Sequence, residues 1–168
     1  TEYGAVYTPG EVASLAAVAR EHGLRVHLDG ARLANALAHL GCTPAELTWK
    51  AGVEVVSLGA TKNGALSTDA IVSFDQGINE QLVYRTKRAG HVASKMRFQS
   101  VQLEAYLTDG LWLRLAAHAN DRMAELSAGL MELALGARVE PQANLVFVDL
   151  PDGWADALEA AGVAFYRM

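Results

Sequence analysis

The sequence predicts an α/β protein with a mainly parallel sheet covered by helices, and three observations predict it. Short apolar runs that end in polar, glycine-containing loops alternate with longer stretches of helical periodicity, the pattern of buried strands joined by helical crossovers. The chain has 168 residues, of which 30 are Ala and only 4 are Pro, and Ala is the strongest helix former. Its content of 51% hydrophobic and 20% charged residues is that of an ordinary globular protein, which excludes disorder, collagen and coiled coil.

Taken in order, Thr8-Pro9-Gly10-Glu11 is a helix-start signal, with a Thr cap and with Pro and Glu in the first turn. The helix runs to about His22, with Val12, Leu15, Ala16 and Ala19 spaced for one apolar face, and Gly23 stops it. Leu24 to Leu28 reads as a buried strand that ends at Asp29-Gly30. Ala31–Leu40 and Pro44–Lys50 are helical, Val53–Leu58 and Ala70–Phe74 are strands, and Gln76–Arg88 and Ser94–Leu107 are helices. One long helix spans Asp109 to about Leu135, with Leu111, Leu115, Leu126, Leu130 and Leu133 expected on its buried side. Asn144–Leu150, Gly153–Ala161 and Val163–Tyr166 then read as strand, helix and strand.

That tail marks a change of character after Gly136. The expected boundary falls near the middle of the long helix, with residues 1–120 in a large domain and 121–168 forming the helix end and the start of a small one. The opening at Thr1 without Met, and a close on what reads as an unfinished strand, fit a piece of a longer protein.

Charge narrows the partners. The net charge is −5, and no basic block stands out, so nucleic acid and anionic membrane are excluded as expected partners. No apolar run approaches the ~20 residues of a membrane span. The single Cys42 rules out an internal disulfide framework and a Cys-based zinc site. His22, His39 and His118 lack a ligand partner one turn on, so no metal is expected. The default compartment is the cytoplasm.

In α/β sheets, ligands bind beyond the carboxyl ends of the strands. Two such ends carry functional groups here. Val26-His27-Leu28-Asp29-Gly30-Ala31-Arg32 places a carboxylate where a strand stops and a guanidinium within the next turn. Leu58-Gly59-Ala60-Thr61-Lys62-Asn63-Gly64 places a lysine among small residues just past a second strand. A carboxylate and a lysine on neighbouring strand ends suit pyridoxal phosphate. The amine forms a Schiff base with the cofactor aldehyde, and the carboxylate keeps the pyridine nitrogen protonated so that the ring accepts electrons. Burial and a nearby cation such as Arg32 would favour the neutral amine. The plainer readings stand beside this one: Asp29 as a turn or cap residue, and Lys62-Asn63-Gly64 as a surface turn. His27 shares a strand face with Asp29. Trp112 and Trp154 read as packing, whereas Trp49 suits either packing or a subunit contact.

Four segments occur in order: Glu2-Tyr3-Gly4-Ala5-Val6-Tyr7, His27-Leu28-Asp29-Gly30-Ala31-Arg32-Leu33, Thr61-Lys62-Asn63-Gly64 and Gly90-His91-Val92-Ala93-Ser94-Lys95-Met96-Arg97-Phe98. Together they resemble the low-specificity L-threonine aldolases, within the fold-type-I pyridoxal-phosphate lyases, along nearly the whole chain. The resemblance implies part of a fold-type-I large domain plus the start of a small C-terminal domain. It implies Lys62 as the Schiff-base lysine and catalytic residue, and Asp29 as the pyridinium partner. Arg32 would lie near the cofactor's phenolic oxygen and the substrate, Thr61 close to the cofactor, and Arg97 near its phosphate. Family members run to roughly twice this length. The part before this chain normally supplies the phosphate loop and a ring-stacking histidine, and the tail after it an arginine for the substrate carboxylate.

The implied reaction is retro-aldol cleavage of a β-hydroxy-α-amino acid to glycine and an aldehyde, in a homodimer or homotetramer. Two alternatives remain at this stage. One is another enzyme of the same fold, a β-eliminating lyase or an aminotransferase. The other is an inactive truncated remnant that serves as a scaffold.

Overall fold

The computed structural model describes residues 3–168; Thr1, and the Glu2 that opens the first of the four segments, lie outside the described residues. Helix α1 (Pro9–Glu21) starts as its sequence dictates. The Thr8 hydroxyl accepts from the Glu11 backbone N–H while the Glu11 carboxylate accepts from the Thr8 N–H at 2.8 Å, a reciprocal cap. These bonds hold the exposed Glu11 carboxyl below its ordinary pKa. Val12 and Ala16 face the core, but Leu15 stays 57% exposed, because the contact strip under α1 is narrower than its apolar stripe.

Strand β1 (His27–Gly30) is followed by α2 (Leu33–Leu40), the short α3 (Pro44–Leu47), a 3-10 turn over Trp49–Ala51 and strand β2 (Val55–Gly59). A second 3-10 turn (Thr61–Asn63) leads into β3 (Asp69–Ser73). The sheet order is β1-β2-β3, with β1 parallel and β3 antiparallel to β2. A mainly parallel sheet is thus corrected to one parallel and one antiparallel pair. The physical reason is the length of the connections. α2 and α3 make a crossover between β1 and β2, whereas the short link from Gly59 to Asp69 has room only to reverse direction.

Alternation along the strands separates two faces. Leu28, Val56, Leu58 and Val72 pack into a core with Leu33, Leu37, Leu47, Val53, Tyr106, Trp112 and Ala116. The opposite face carries His27, Asp29, Ser57 and Ile71, in register as Asp29↔Ser57 and Ser57↔Ile71. There His27, Asp29 and Ile71 are exposed.

Helices α4 (Gln76–Arg88), α5 (Arg97–Leu107), α6 (Leu111–Glu132) and α7 (Trp154–Ala160) complete the chain. α5 begins at Arg97 rather than Ser94, after a turn at Lys95–Met96. Left-handed Asp109 and Gly110 break α5 from α6, so the long helix starts at Leu111. Its buried residues are Trp112, Ala116 and Ser127, while Leu115, Leu126 and Leu133 are exposed. The choice of face follows α2, whose Leu33–Leu37 run is wholly buried. Asn35 Nδ2 donates to Asn120 Oδ1 at 2.9 Å, and Asn120 Nδ2 donates to the Asn35 carbonyl at 3.0 Å. That clamp turns small Ala116 inward and Leu115, Leu126 and Leu133 aside, while Leu111 and Leu130 are half-buried.

The two expected C-terminal strands do not form. Around Asn144–Leu150 the ladder reduces to one bridge, Ala137↔Val148, and Tyr166 is 98% exposed. Apolar alternation provides a face but no partner edge, and a strand needs both. Trp112 is buried as expected, whereas Trp154 is 45% exposed, which corrects its reading as a packing residue.

α4 buries no residue and depends on its cap. Asp75 Oδ1 accepts from the Ile78 N–H at 2.8 Å, and its other oxygen pairs with Arg25 at 2.6 Å. The Arg25 hydrogen bond leads in holding the Asp75 carboxyl below its ordinary pKa. A depressed folded pKa means that this support is complete above the unfolded value of about 4 and is lost as pH falls through the folded value. Amide exchange in the first turn of α4, corrected for intrinsic rates, is expected to accelerate below about pH 4. Asp75→Ala should show the same fast exchange at neutral pH. A first turn that keeps its protection in both experiments counts against the cap.

Candidate active site

Asp29 is the last side chain of β1 before the chain turns. It is exposed, and its Oδ1 accepts from the Ala31 N–H at 2.9 Å, which fixes the carboxylate and leaves its second oxygen outside that bond. Beside it on the same sheet face, His27 Nε2 and Ser57 Oγ lie 2.8 Å apart. Ser57 carries no local signal of its own, because only the β1–β2 register brings it there.

The β1 and β2 ends are joined backbone to backbone. A Cβ on Gly59 would sit 2.7 Å from Ala31 Cα, and one on Gly30 would sit 2.7 Å from the Ser57 carbonyl oxygen. Both glycines are therefore required by close approach. The turn that carries Asp29 and Arg32 thus rests directly on the shoulder of the turn that carries Lys62.

Thr61 and Lys62 are exposed and Asn63 is buried. The turn is fastened to β3: the Ala60 N–H donates to Asp69 Oδ1 at 3.0 Å, and the Thr61 hydroxyl donates to the Thr68 carbonyl at 3.3 Å. Lys62 is exposed, so the burial expected of it is not supplied by the described residues.

Arg32 precedes α2 and is half-buried, and its Nε donates to Asn144 Oδ1 at 3.0 Å. Asn144 comes from the far end of the chain, so no local signal announces it. Asp29 and Arg32 also share the wall of a groove of about 280 Å³ between α1, β1 and α2, whose other walls include Val12, Val26, Leu28 and Leu33. Lys62 and Thr61 lie outside that groove, on the neighbouring strand end.

Arg97 stands exposed at the start of α5. Among the described residues, no hydrogen bond or ion pair links it to Asp29, Arg32, Thr61 or Lys62. It closes a cationic stretch with Arg85, Lys87, Arg88 and Lys95 and no acid between residues 85 and 97, which corrects the expectation of a sequence without any basic block. His91 lies exposed within it. Cys42 sits half-buried between α2 and α3, where burial raises its thiol pKa. Among the described residues, no helix is long and apolar enough to cross a membrane.

The family profile described as Beta-eliminating lyase matches residues 1–152. The chain is 46% identical over 168 residues to the low specificity L-threonine aldolase of a Pseudomonas species, covering 99% of this chain and 48% of that protein. It is 47% identical to the protein of the same name from Pseudomonas aeruginosa, with the same coverage. The chain spans about half the length of the curated relatives it matches. Among solved structures, a Leishmania major threonine aldolase superposes with a TM-score of 0.86 at 29% identity, over 95% of this chain and 47% of that one. This likeness bears out the α/β fold and the resemblance drawn from the four segments.

Proposed function

Because the chain belongs to the beta-eliminating lyase family, we propose that the intact protein is a pyridoxal 5′-phosphate-dependent aldolase. It would cleave L-threonine, L-allo-threonine and related β-hydroxy-α-amino acids to glycine and an aldehyde. The observation that carries this reading is the placement of Asp29 and Lys62 at the carboxyl ends of adjacent parallel strands, locked by the Gly59–Ala31 contact. The two low specificity L-threonine aldolases at 46% and 47% identity support the choice of reaction.

The donor set fits such a cofactor. It offers an exposed primary amine, a carboxylate with one oxygen outside the Ala31 bond, and a guanidinium engaged only through Nε among the described residues. When bound, the cofactor supplies an aldehyde for the amine and a ring that accepts electrons. Lys62 would hold the aldehyde carbon and regain it when product leaves. Asp29 would accept the ring N–H and keep that nitrogen protonated, held in orientation by the Ala31 N–H. Arg32 would turn its remaining N–H groups toward the phenolic oxygen and the substrate. Thr61 would place a hydroxyl near the cofactor, and Arg97, within its cationic stretch, suits the phosphate. The same reading makes the intact enzyme a cytoplasmic homodimer or homotetramer, for which exposed Val83, Tyr84, Phe98 and Val101 offer apolar surface.

The test is borohydride reduction of the intact protein with pyridoxal phosphate, followed by peptide mapping. One adduct at Lys62 is expected, and Lys62→Ala should abolish it. An adduct that persists in that variant, or labels spread over Lys50, Lys87 and Lys95, would sink the assignment. The family's description favours a second reading, β-elimination. Release of glycine and aldehyde marks the aldolase, whereas release of a 2-oxo acid marks the eliminating lyase.

A further inference from the structure

Lysine ends in a compact charge on a flexible four-carbon stem, so the reach of Lys62 is set by the backbone that carries it. That backbone is a single 3-10 turn closed by two bonds to the Ala60 carbonyl, from the Asn63 N–H at 3.0 Å and the Ala65 N–H at 3.2 Å. The Ala60 and Thr61 bonds fasten its first half to β3. Its second half is fastened to the helices by the Asn63 side chain, and the Leu66 and Ser67 N–H groups that follow donate to Gln102 Oε1 of α5. Asn63 Nδ2 donates to Tyr106 Oη at 2.7 Å and to the Trp112 carbonyl at 2.8 Å. Trp112 O can only accept, which orients the amide and directs its second hydrogen to the tyrosine oxygen. Tyr106 and Trp112 are buried, with ring centroids 6.2 Å apart, so the anchor is stiff and shielded from water that would replace a lost bond.

We propose that Asn63 and Tyr106 are positioning residues for Lys62, holding its turn against α5 and α6 so that the amine meets the cofactor aldehyde. This inference rests on the reading of Lys62 as the attaching lysine. Asparagine suits the task chemically, since two donors on one nitrogen satisfy two separate acceptors. Aspartate would set an acceptor against the Trp112 carbonyl, and alanine would leave both acceptors unmatched.

Two readouts on the intact protein, stripped of cofactor, separate positioning from mere folding. The first is the rate at which Lys62 captures pyridoxal phosphate, followed by timed borohydride trapping and peptide mapping. The second is the affinity for pyridoxamine phosphate, which has no aldehyde and binds without Lys62. Asn63→Ala is expected to slow capture roughly tenfold or more and to leave pyridoxamine phosphate affinity nearly unchanged. Tyr106→Phe, which removes only one acceptor, should show a smaller loss in the same direction. If Asn63→Ala does not fold, Tyr106→Phe decides on the same two readouts. Unchanged capture, or parallel loss of capture and affinity, overturns the proposal. An unaltered protein that gives no Lys62 adduct removes the reading of Lys62 itself, and the positioning role with it.

Discussion

Asp29→Ala in the intact protein is expected to lower turnover of β-hydroxy-α-amino acids by on the order of 10²–10³-fold while Lys62 still takes up the cofactor. Attachment depends on the amine, whereas electron acceptance depends on a protonated ring, and Asp29 is the negative charge at that strand end. Two variants separate its charge from its local bond. Asp29→Asn keeps an oxygen for the Ala31 N–H and loses only the charge. If the charge is what matters, Asn and Ala fall by similar amounts in kcat/KM, with the Lys62 adduct intact in both. An Asn variant close to full activity would instead assign Asp29 to the turn alone.

Gly59→Ala is the second large effect. The added methyl would meet Ala31 Cα at 2.7 Å and the Ala31 carbonyl oxygen at 3.2 Å. Both are backbone atoms without a side-chain route of escape. Overpacking of this kind costs about 2–4 kcal/mol, measured as a shift of the urea midpoint at constant m. It should also part the Asp29 and Lys62 turns, so cofactor capture falls even where the protein remains folded. Gly129→Ala in α6, where a new Cβ meets nothing within 4 Å, should stabilise by about 0.4–1 kcal/mol. Equal stability of the two variants would mean that the strand ends do not press together as described.

What the sequence made legible was local chemistry. Thr8 with Glu11 marked the start of α1, and the bounds of α4 were read to the residue, since caps and helical stretches of this kind carry their own signal. Asp29 and Lys62 could be singled out because Asp29 carries the last side chain of β1 and Lys62 stands just past β2. What escaped was set by partners distant in sequence. Leu115, Leu126 and Leu133 belong to a stripe as periodic as a buried face, yet the Asn35–Asn120 clamp leaves them exposed. Asn144–Leu150 has strand chemistry and lacks an edge to join. Asn63 read as part of a surface turn and Asn144 as the start of a strand, because only the folded chain brings Tyr106 to one and Arg32 to the other. The direction of β3 was in principle readable, since the link from Gly59 to Asp69 is too short for a crossover.

The Arg32–Asn144 bond spans 112 positions, whereas the Val26–Glu54 bond at the mouth of β1 and β2 spans 28. Closing the longer loop carries the larger entropic cost, and distant contacts form late. During synthesis, residues 27–112, which include the Tyr106 and Trp112 partners of Asn63, are made before Asn144 exists. The carboxylate and the amine can thus align before the guanidinium is anchored. A nascent chain stopped short of Asn144 therefore carries the paired strand ends with Arg32, the group that would meet the substrate, still unanchored.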